Sequence, residues 1–132
     1  MRKKSVLDAY AVIAYLKQES AHARVLKLLV SDNVDLIINS INVGEVFYIL
    51  ARDQGIDKAE HFLSEILPSL PITVVGNSVD DVIAAARIKA GHALSFAACF
   101  AAATAIRERA PLVTGDPEFR KLGKALAVDW IG

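Results

Sequence analysis

The sequence predicts an α/β fold in which a central parallel sheet is covered by helices on both faces, as three layers. Short apolar runs of strand length alternate along the chain with segments whose apolar residues recur at helical spacing. The apolar fraction of 54% exceeds the ~45–50% typical of soluble domains, as expected if the strands are buried on both faces. A length of 132 residues predicts one domain over residues 1–132.

The predicted strands are short and rich in Val, Ile and Leu, which favour buried strands. They are Val6–Leu7, Leu36–Ile38, Ile72–Val75, Leu112–Thr114 and Ala127–Val128. Ligands of parallel sheets bind beyond the carboxyl ends of the strands. Side chains that directly follow these runs are therefore the first candidates for a functional site.

The predicted helices fill the segments between the strands. Gly55 ends one of them, and Pro111 bars another from continuing. Their predicted ranges are Ala9–Lys17, Ala21–Ser31, Asn42–Arg52, Asp57–Leu67, one led by Ser78 and one from Ser95 to about Arg109.

Two of these helices, Asn42–Arg52 and Asp57–Leu67, carry more apolar residues than one buried face needs. Large exposed apolar patches usually mark contacts, so this surplus predicts a homodimer or a groove for a partner protein. The residues concerned are Val46, Phe47, Ile49, Leu50, Phe62, Leu63 and Ile66.

Charge and composition limit the class of protein. Fifteen basic and fifteen acidic residues give zero net charge, which argues against a protein that coats long duplex DNA. Cys99 is the only cysteine, so no internal disulfide forms and a reducing cytoplasm is expected. The longest apolar stretch, Phe96–Ile106, is shorter than the ~18 residues of a membrane span, and no contact with a membrane is expected.

Three acidic residues follow predicted strands, and each has a simple local explanation. Asp8 suits the N-cap of the first helix. Glu45 is three residues after Asn42, the acidic position of a capping box if Asn42 is the N-cap. Asp116 lies in the Gly115-Asp116-Pro117 turn signal, where turn chemistry alone accounts for it.

Together the three acids indicate more than caps, because the strand ends meet at one edge of the sheet. Clustered carboxylates raise one another's pKa, so a folded protein keeps them mainly where cations neutralise them. Oxygen ligands suit Mg²⁺ or Mn²⁺, and no His or Cys spacing indicates zinc. Thr114 adds a hydroxyl beside Asp116.

Four blocks of the sequence resemble motifs of the PIN-domain family, and in particular its VapC-type toxins from toxin–antitoxin pairs. The blocks are Val6-Leu7-Asp8-Ala9-Tyr10-Ala11, Asn42-Val43-Gly44-Glu45, Leu94-Ser95-Phe96-Ala97-Ala98-Cys99-Phe100 and Leu112-Val113-Thr114-Gly115-Asp116-Pro117-Glu118-Phe119. The resemblance implies a metal-dependent endoribonuclease, usually a homodimer, that a partner antitoxin keeps inactive. It implies that Asp8, Glu45 and Asp116 are the catalytic metal ligands, with Thr114 as a nearby hydroxyl.

Position 98 departs from the family pattern, which has Asp where this chain has Ala98. If Ser95 is the N-cap, residue 98 is the third residue of its helix and lies at the same edge as Asp8. An alanine cannot bind a cation, so one of four expected carboxylates is absent. Either the natural protein has lost a ligand or an inactivating substitution was introduced, and the second is favoured because it makes a toxic nuclease easier to express.

Three other readings of the sequence remain open. With Ala98 the chain is an inactive PIN domain that only binds RNA or its partner, or else its acids are all caps of an ordinary scaffold. A receiver domain is disfavoured because Asp8 has no acidic neighbour. Six basic residues either contact RNA phosphates or lie on solvated helix faces: Arg87, Lys89, Arg107, Arg109, Arg120 and Lys121.

Overall fold

A computed structural model describes residues 2–132 of the chain. Five strands form one sheet in the order β3-β2-β1-β4-β5, and every neighbouring pair is parallel. They are β1 Lys3–Leu7, β2 Val34–Asn39, β3 Ile72–Val75, β4 Leu112–Thr114 and β5 Val128–Trp130. The predicted parallel sheet is confirmed.

Helices connect the strands. They are α1 Ala9–Leu16, α2 His22–Leu29, α3 Ser40–Gln54, α4 Ile56–His61, α5 Leu67–Ser69, α6 Val79–Gly91 and α7 Phe96–Glu108. A π-helical turn at Phe62–Ile66 joins α4 to α5, and a 3₁₀ segment at Pro117–Ala125, kinked at Gly123, joins β4 to β5. The predicted N-caps Ser78 and Ser95 each accept a hydrogen bond from the third residue of their helix.

Two predicted helix boundaries are wrong. Helix α3 begins at Ser40 because Asn39, not Asn42, is its N-cap, so Glu45 is the sixth helical residue and lies beyond the first turn. The helix predicted to end before Pro68 continues to Ser69. Pro68 is the second residue of α5, directly after the π-helical turn.

The sheet separates two apolar layers. Val6 and Leu112 face the layer that contains α6, α7 and the 3₁₀ segment. Leu7 and Val113 face the layer that contains α1 to α4. Side chains of a strand alternate between faces, so both faces are covered, and the predicted three-layer α/β/α architecture is confirmed.

Most of the seven apolar residues predicted to be in surplus on α3 and α4 are buried or packed against the core, whereas Ile41 and Tyr48 of α3 and Ile56 of α4 are exposed. Val46, Leu50 and Phe62 are buried, and Phe47, Ile49 and Ile66 pack against the same core. Only Leu63 of that set is exposed. The π-helical turn begins at Phe62, which packs in the same core cluster as Val46 and Leu50 of α3.

Within residues 2–132, no single helix is long and apolar enough to cross a membrane. Helices α6 and α7 reach that length and apolarity only as a pair bent by 118°, and α7 contributes to the core between the layers.

Candidate active site

The strand order of the sheet reverses between β1 and β4. From β1 the chain adds β2 and β3 on one side, and β4 and β5 then form on the other. Such a switch point opens a crevice at the carboxyl ends of the two central strands. Asp8 directly follows β1, and Thr114 ends β4, so the order of the strands places both residues at this crevice.

Asp8 is buried, with 5% of its surface exposed, and both carboxylate oxygens have partners. Oδ1 accepts the amide N–H of Ala11 at 3.0 Å, which makes Asp8 the N-cap of α1. Oδ2 accepts the hydroxyl of Thr114 at 2.5 Å. Asp8 can therefore be both a helix cap and a site residue, because one carboxylate oxygen caps α1 and the other contacts Thr114.

Burial raises the pKa of Asp8 from 3.8 to about 7, because desolvation penalises the charged carboxylate. The hydrogen bonds from Thr114 and Ala11 lower this pKa, while the charges of Glu45 and Asp116 raise it further. None of the seven ion pairs formed by residues 2–132 includes any of these three carboxylates.

Glu45 is half-buried and is held by Asn42 of the same helix. Asn42 is fully buried, and its Nδ2 donates to Oε1 of Glu45 at 3.3 Å and to the carbonyl oxygen of Ala97 at 3.0 Å. Burial raises the pKa of Glu45, and the charges of Asp116 and Glu118 add to this rise. The Oδ1 atom of Asn42 is buried without a hydrogen-bond partner.

Asp116 follows β4 and caps the 3₁₀ segment. Its Oδ1 accepts the amide N–H of Glu118 at 2.9 Å, and its own N–H donates to the hydroxyl of Thr114 at 3.0 Å. Glu118 in turn accepts the amide N–H of Ser95 at 2.8 Å. These contacts connect the end of β4 to the start of α7.

The carboxylates share a small cavity of about 40 Å³, room for about one water-sized occupant. Ser95 and Ala98 of α7 also line it, so position 98 lies at the cavity, as the sequence predicted. The full lining is Asp8, Ala9, Tyr10, Asn42, Glu45, Ser95, Ala98, Asp116 and Phe119.

The side chains are not already arranged around one point. Within residues 2–132, no three Asp, Glu, His or Cys side chains form a ready metal-binding group. Hydrogen bonds inside the protein hold Glu45 and Asp116 instead, and Ala98 contributes no ligand. The donor set nevertheless fits a hard cation, because it consists of carboxylate oxygens and the free Oδ1 of Asn42.

Asn42, Glu118 and Tyr10 were not identified as site residues from the sequence. Asn42 was interpreted as a helix cap, although its spacing of three from Glu45 allows contact on one helix face. Glu118 lies two residues after Asp116, and no pattern in the sequence assigns it a role. Tyr10 follows Asp8 closely, and no pattern in the sequence showed that its ring would line the cavity.

A larger cavity of about 750 Å³ lies at the opposite edge, beside the starts of β1 and β2. It contains none of the predicted site residues. Of the basic residues considered from the sequence, Arg107 pairs with Asp81 and Lys121 donates to the carbonyl oxygen of Ala93. Arg120 instead lies over the ring of Trp130.

Comparison with protein families assigns the fold. The family model of the PIN domain matches residues 5–125. The chain belongs to the PIN domain family. The predicted membership of this family is thereby confirmed, whereas no curated protein sequence matches the chain.

Solved structures show the same fold at low sequence identity. VapBC2 from Rickettsia felis, bound to a promoter DNA fragment, is 20% identical with a TM-score of 0.75, over 96% of this chain and 97% of that one. VapC20 from Mycobacterium tuberculosis, a sarcin–ricin loop cleaving toxin, is 18% identical with a TM-score of 0.75, over 90% and 95%. DNA-bound VapBC from Salmonella typhimurium is 16% identical with a TM-score of 0.74, over the whole of both chains.

Proposed function

We propose that residues 1–132 form a single PIN domain and that it is a metal-dependent endoribonuclease of the VapC toxin type. One observation carries the proposal: the buried carboxylate of Asp8 at the switch point shares a cavity with Glu45 and Asp116, and it pairs with no cation of the described chain. Such a cluster is costly unless it binds a cation.

Asp8, Glu45 and Asp116 would hold Mg²⁺ or Mn²⁺, directly or through water. A bound divalent ion would lower the pKa of an attacking water and offset the charge of the phosphate. Asp8 is the central ligand in this proposal, because Thr114 and the Ala11 amide fix both of its oxygens. Ser95 supports the site by fixing the start of α7.

The chain's own residues set the geometry for phosphodiester hydrolysis. Asn42 turns Glu45 toward the cavity, and the Glu118 amide orients Asp116. The unpartnered Oδ1 of Asn42 is a further oxygen acceptor beside Glu45, and a buried acceptor without a donor costs about 1–3 kcal/mol. No side chain is assigned as a separate general base.

Ala98 supports a second candidate function. Its side chain is 7% exposed and lines the cavity at the third position of α7, so the carboxylate expected in the family is missing from an otherwise complete pocket. The alternative is an inactive PIN domain that binds RNA or an antitoxin without cleaving. Position 98 therefore separates the two candidates.

Partners and location are part of the proposal. Several neighbours are toxin–antitoxin complexes, which supports a cognate antitoxin as partner in the cytoplasm. Exposed apolar residues support a homodimer; they lie on α6 and on the segment from α3 to the π-helical turn, namely Val79, Val82, Ile83, Ile41, Tyr48, Ile56 and Leu63. RNA is the proposed substrate.

The test is RNA cleavage with Mn²⁺ by this chain beside its Ala98→Asp and Ala98→Asn variants. We expect Ala98→Asp to bind Mn²⁺ roughly ten- to hundredfold more tightly, or about 1.5–3 kcal/mol, and to cleave faster. Ala98→Asn is the control, because it has nearly the same size but no charge. Absence of cleavage by Ala98→Asp, with Mn²⁺ bound, would favour the inactive alternative.

A further inference from the structure

Trp130 lies in one row of the sheet with Asp8 and Thr114. Val6 pairs with Leu112 and Leu7 with Val113, so Asp8 comes beside Thr114 at the next step. Thr114 in turn pairs with Trp130 on β5. Neighbouring strands are about 4.8 Å apart, so the backbones of Asp8 and Trp130 lie roughly 10 Å from each other along the sheet edge.

The side chain of Trp130 is partly exposed to solvent, and a cationic side chain packs on its ring. Trp130 is 37% exposed, although tryptophan is usually well covered in soluble domains. The guanidinium carbon of Arg120 lies 4.6 Å from the centre of the ring. The guanidinium of Arg120 therefore covers one face of the ring, and the pair forms a stack of two planar groups at the surface.

The end of the chain holds this pair in place. The amide N–H of Ile131 donates to the carbonyl oxygen of Thr114 at 3.0 Å. Gly132 packs against Gly115 and Tyr10, since a Cβ on Gly132 would lie 2.7 Å from the Tyr10 hydroxyl. Tyr10 also lines the cavity. The residues that fix Trp130 are thus continuous with the wall of the proposed site.

We propose that Trp130 and Arg120 form a stacking platform for an unpaired base of RNA next to the phosphate held at Asp8. This inference rests on the proposed function, and it assigns the binding of one base of the RNA to these two residues. Aromatic rings and arginine planes bind bases by stacking, largely without regard to sequence. Arg120 also offsets phosphate charge on a chain of zero net charge.

Tryptophan fluorescence tests the platform directly, because Trp130 is the chain's single tryptophan. The probe is a single-stranded RNA of about 12 nucleotides, added in EDTA so that cleavage does not occur. We expect saturable quenching of the tryptophan emission. An abasic ribose-phosphate chain of equal length, which has the charge but no bases, should leave the emission unchanged.

Variants measure the contribution to affinity with labelled RNA. Trp130→Leu should bind roughly tenfold more weakly, within a range of about five- to hundredfold, whereas Trp130→Phe should retain most of the affinity. Tyr48→Leu is the matched control, because Tyr48 is an exposed ring with Arg52 at 6.0 Å but lies outside the cavity lining. It should bind RNA as the parent does.

The outcomes separate this inference from the proposed function. If Ala98→Asp cleaves RNA but RNA does not quench Trp130 and Trp130→Leu binds normally, the platform is wrong and the nuclease proposal stands. Equal quenching by the abasic chain also overturns the platform, because it indicates a backbone contact alone. If labelled RNA binds neither the parent nor Ala98→Asp, and neither cleaves it, both proposals fail.

Discussion

Asp8 connects the protonation of the site to the stability of the fold. Its carboxylate is buried at the end of β1, and burial raises its pKa from 3.8 to about 7. Between these two values the folded chain keeps a proton that the unfolded chain has released. The free energy of unfolding therefore falls as the pH rises through this window, and the stabilising effect is complete only below the lower value.

The pH dependence gives the first prediction. In EDTA, we expect the parent to lose at most about 4 kcal/mol between about pH 4 and pH 8 from this group. Asp8→Asn should remove most of that loss, because its Oδ1 can still accept from the Ala11 amide, its Nδ2 can donate to the Thr114 hydroxyl, and the amide does not ionise. Urea unfolding at both pH values measures it, with the exposed Asp57→Asn as control. The prediction would be contradicted if the unfolding free energy of Asp8→Asn fell with pH as steeply as that of the parent.

Gly115 is required by a close approach rather than by its backbone conformation. A Cβ at this position would lie 2.3 Å from Cε1 of Tyr10, far inside van der Waals contact. We expect Gly115→Ala to cost about 1–3 kcal/mol of unfolding free energy. In a Tyr10→Ala background, which lacks the ring, Gly115→Ala should be nearly neutral, because its cost comes from contact with that ring.

A second glycine is the control for this measurement. Gly44 lies within α3 and has nothing within 4 Å of a built Cβ. Gly44→Ala should be stabilising by about 0.5–1 kcal/mol, because alanine favours a helix interior. Equal effects of the two substitutions in chemical denaturation would show that contact with Tyr10 does not decide the cost at Gly115.

Among the elements, the end of β2 depends on the side chain of Asn39. This residue is 1% exposed, and its Nδ2 donates to Asn77 at 2.8 Å and to Thr104 at 2.9 Å. Its Oδ1 accepts the Ile41 amide at 2.9 Å and caps α3. Strand β2, α7 and α3 thus meet at one amide, which orients the helix that carries Glu45.

Removal of this amide is the next prediction. Asn39→Ala should cost about 2–4 kcal/mol of unfolding free energy, because it removes a cap and leaves buried partners unsatisfied. Asn33→Ala, at an exposed asparagine, should change stability by under about 0.5 kcal/mol. Thermal or urea unfolding distinguishes the two. A small effect of Asn39→Ala would mean that water replaces the lost partners.

Strand ends and local caps were predictable from the sequence, because both depend on neighbouring residues. The positions of Asp8 and Asp116 follow from the apolar runs before them, and the place of Ala98 follows from the cap at Ser95. The N-cap of α3 was not predictable, since Asn39 and Asn42 are equally good caps and only Asn77 and Thr104, distant in sequence, favour the first. The π-helical turn and the exposure of Trp130 likewise depend on tertiary packing.

In the whole molecule, the sheet is covered on both faces while the acids share one edge, so metal binding and global stability are coupled. Any ligand that binds only the folded state stabilises it by an amount that depends on concentration and affinity. A fourth carboxylate at position 98 would join a cavity already lined by Asp8, Glu45 and Asp116. Its effect on stability should therefore depend on whether a cation is bound.

The last prediction is that Mn²⁺ offsets a loss of stability caused by Ala98→Asp. In EDTA the variant should be less stable than the parent by about 0.5–3 kcal/mol, because an added acid in a half-buried cluster is repelled and desolvated. With Mn²⁺ at about 100 times its dissociation constant, binding should add about 2.7 kcal/mol to the variant. The parent, which binds more weakly, should gain less.

Urea unfolding of both chains with EDTA and with Mn²⁺ measures how far the ion offsets this loss of stability, and no RNA is needed. Ala98→Asn is the control: it tests the added volume without the charge and should respond to Mn²⁺ as the parent does. Two results would contradict the coupling. In the first, Mn²⁺ stabilises all three chains equally, which would place the ion away from residue 98. In the second, Ala98→Asp is destabilised to the same extent with and without the ion, which would mean that the acids at the end of β1, on α3 and after β4 do not hold a cation together.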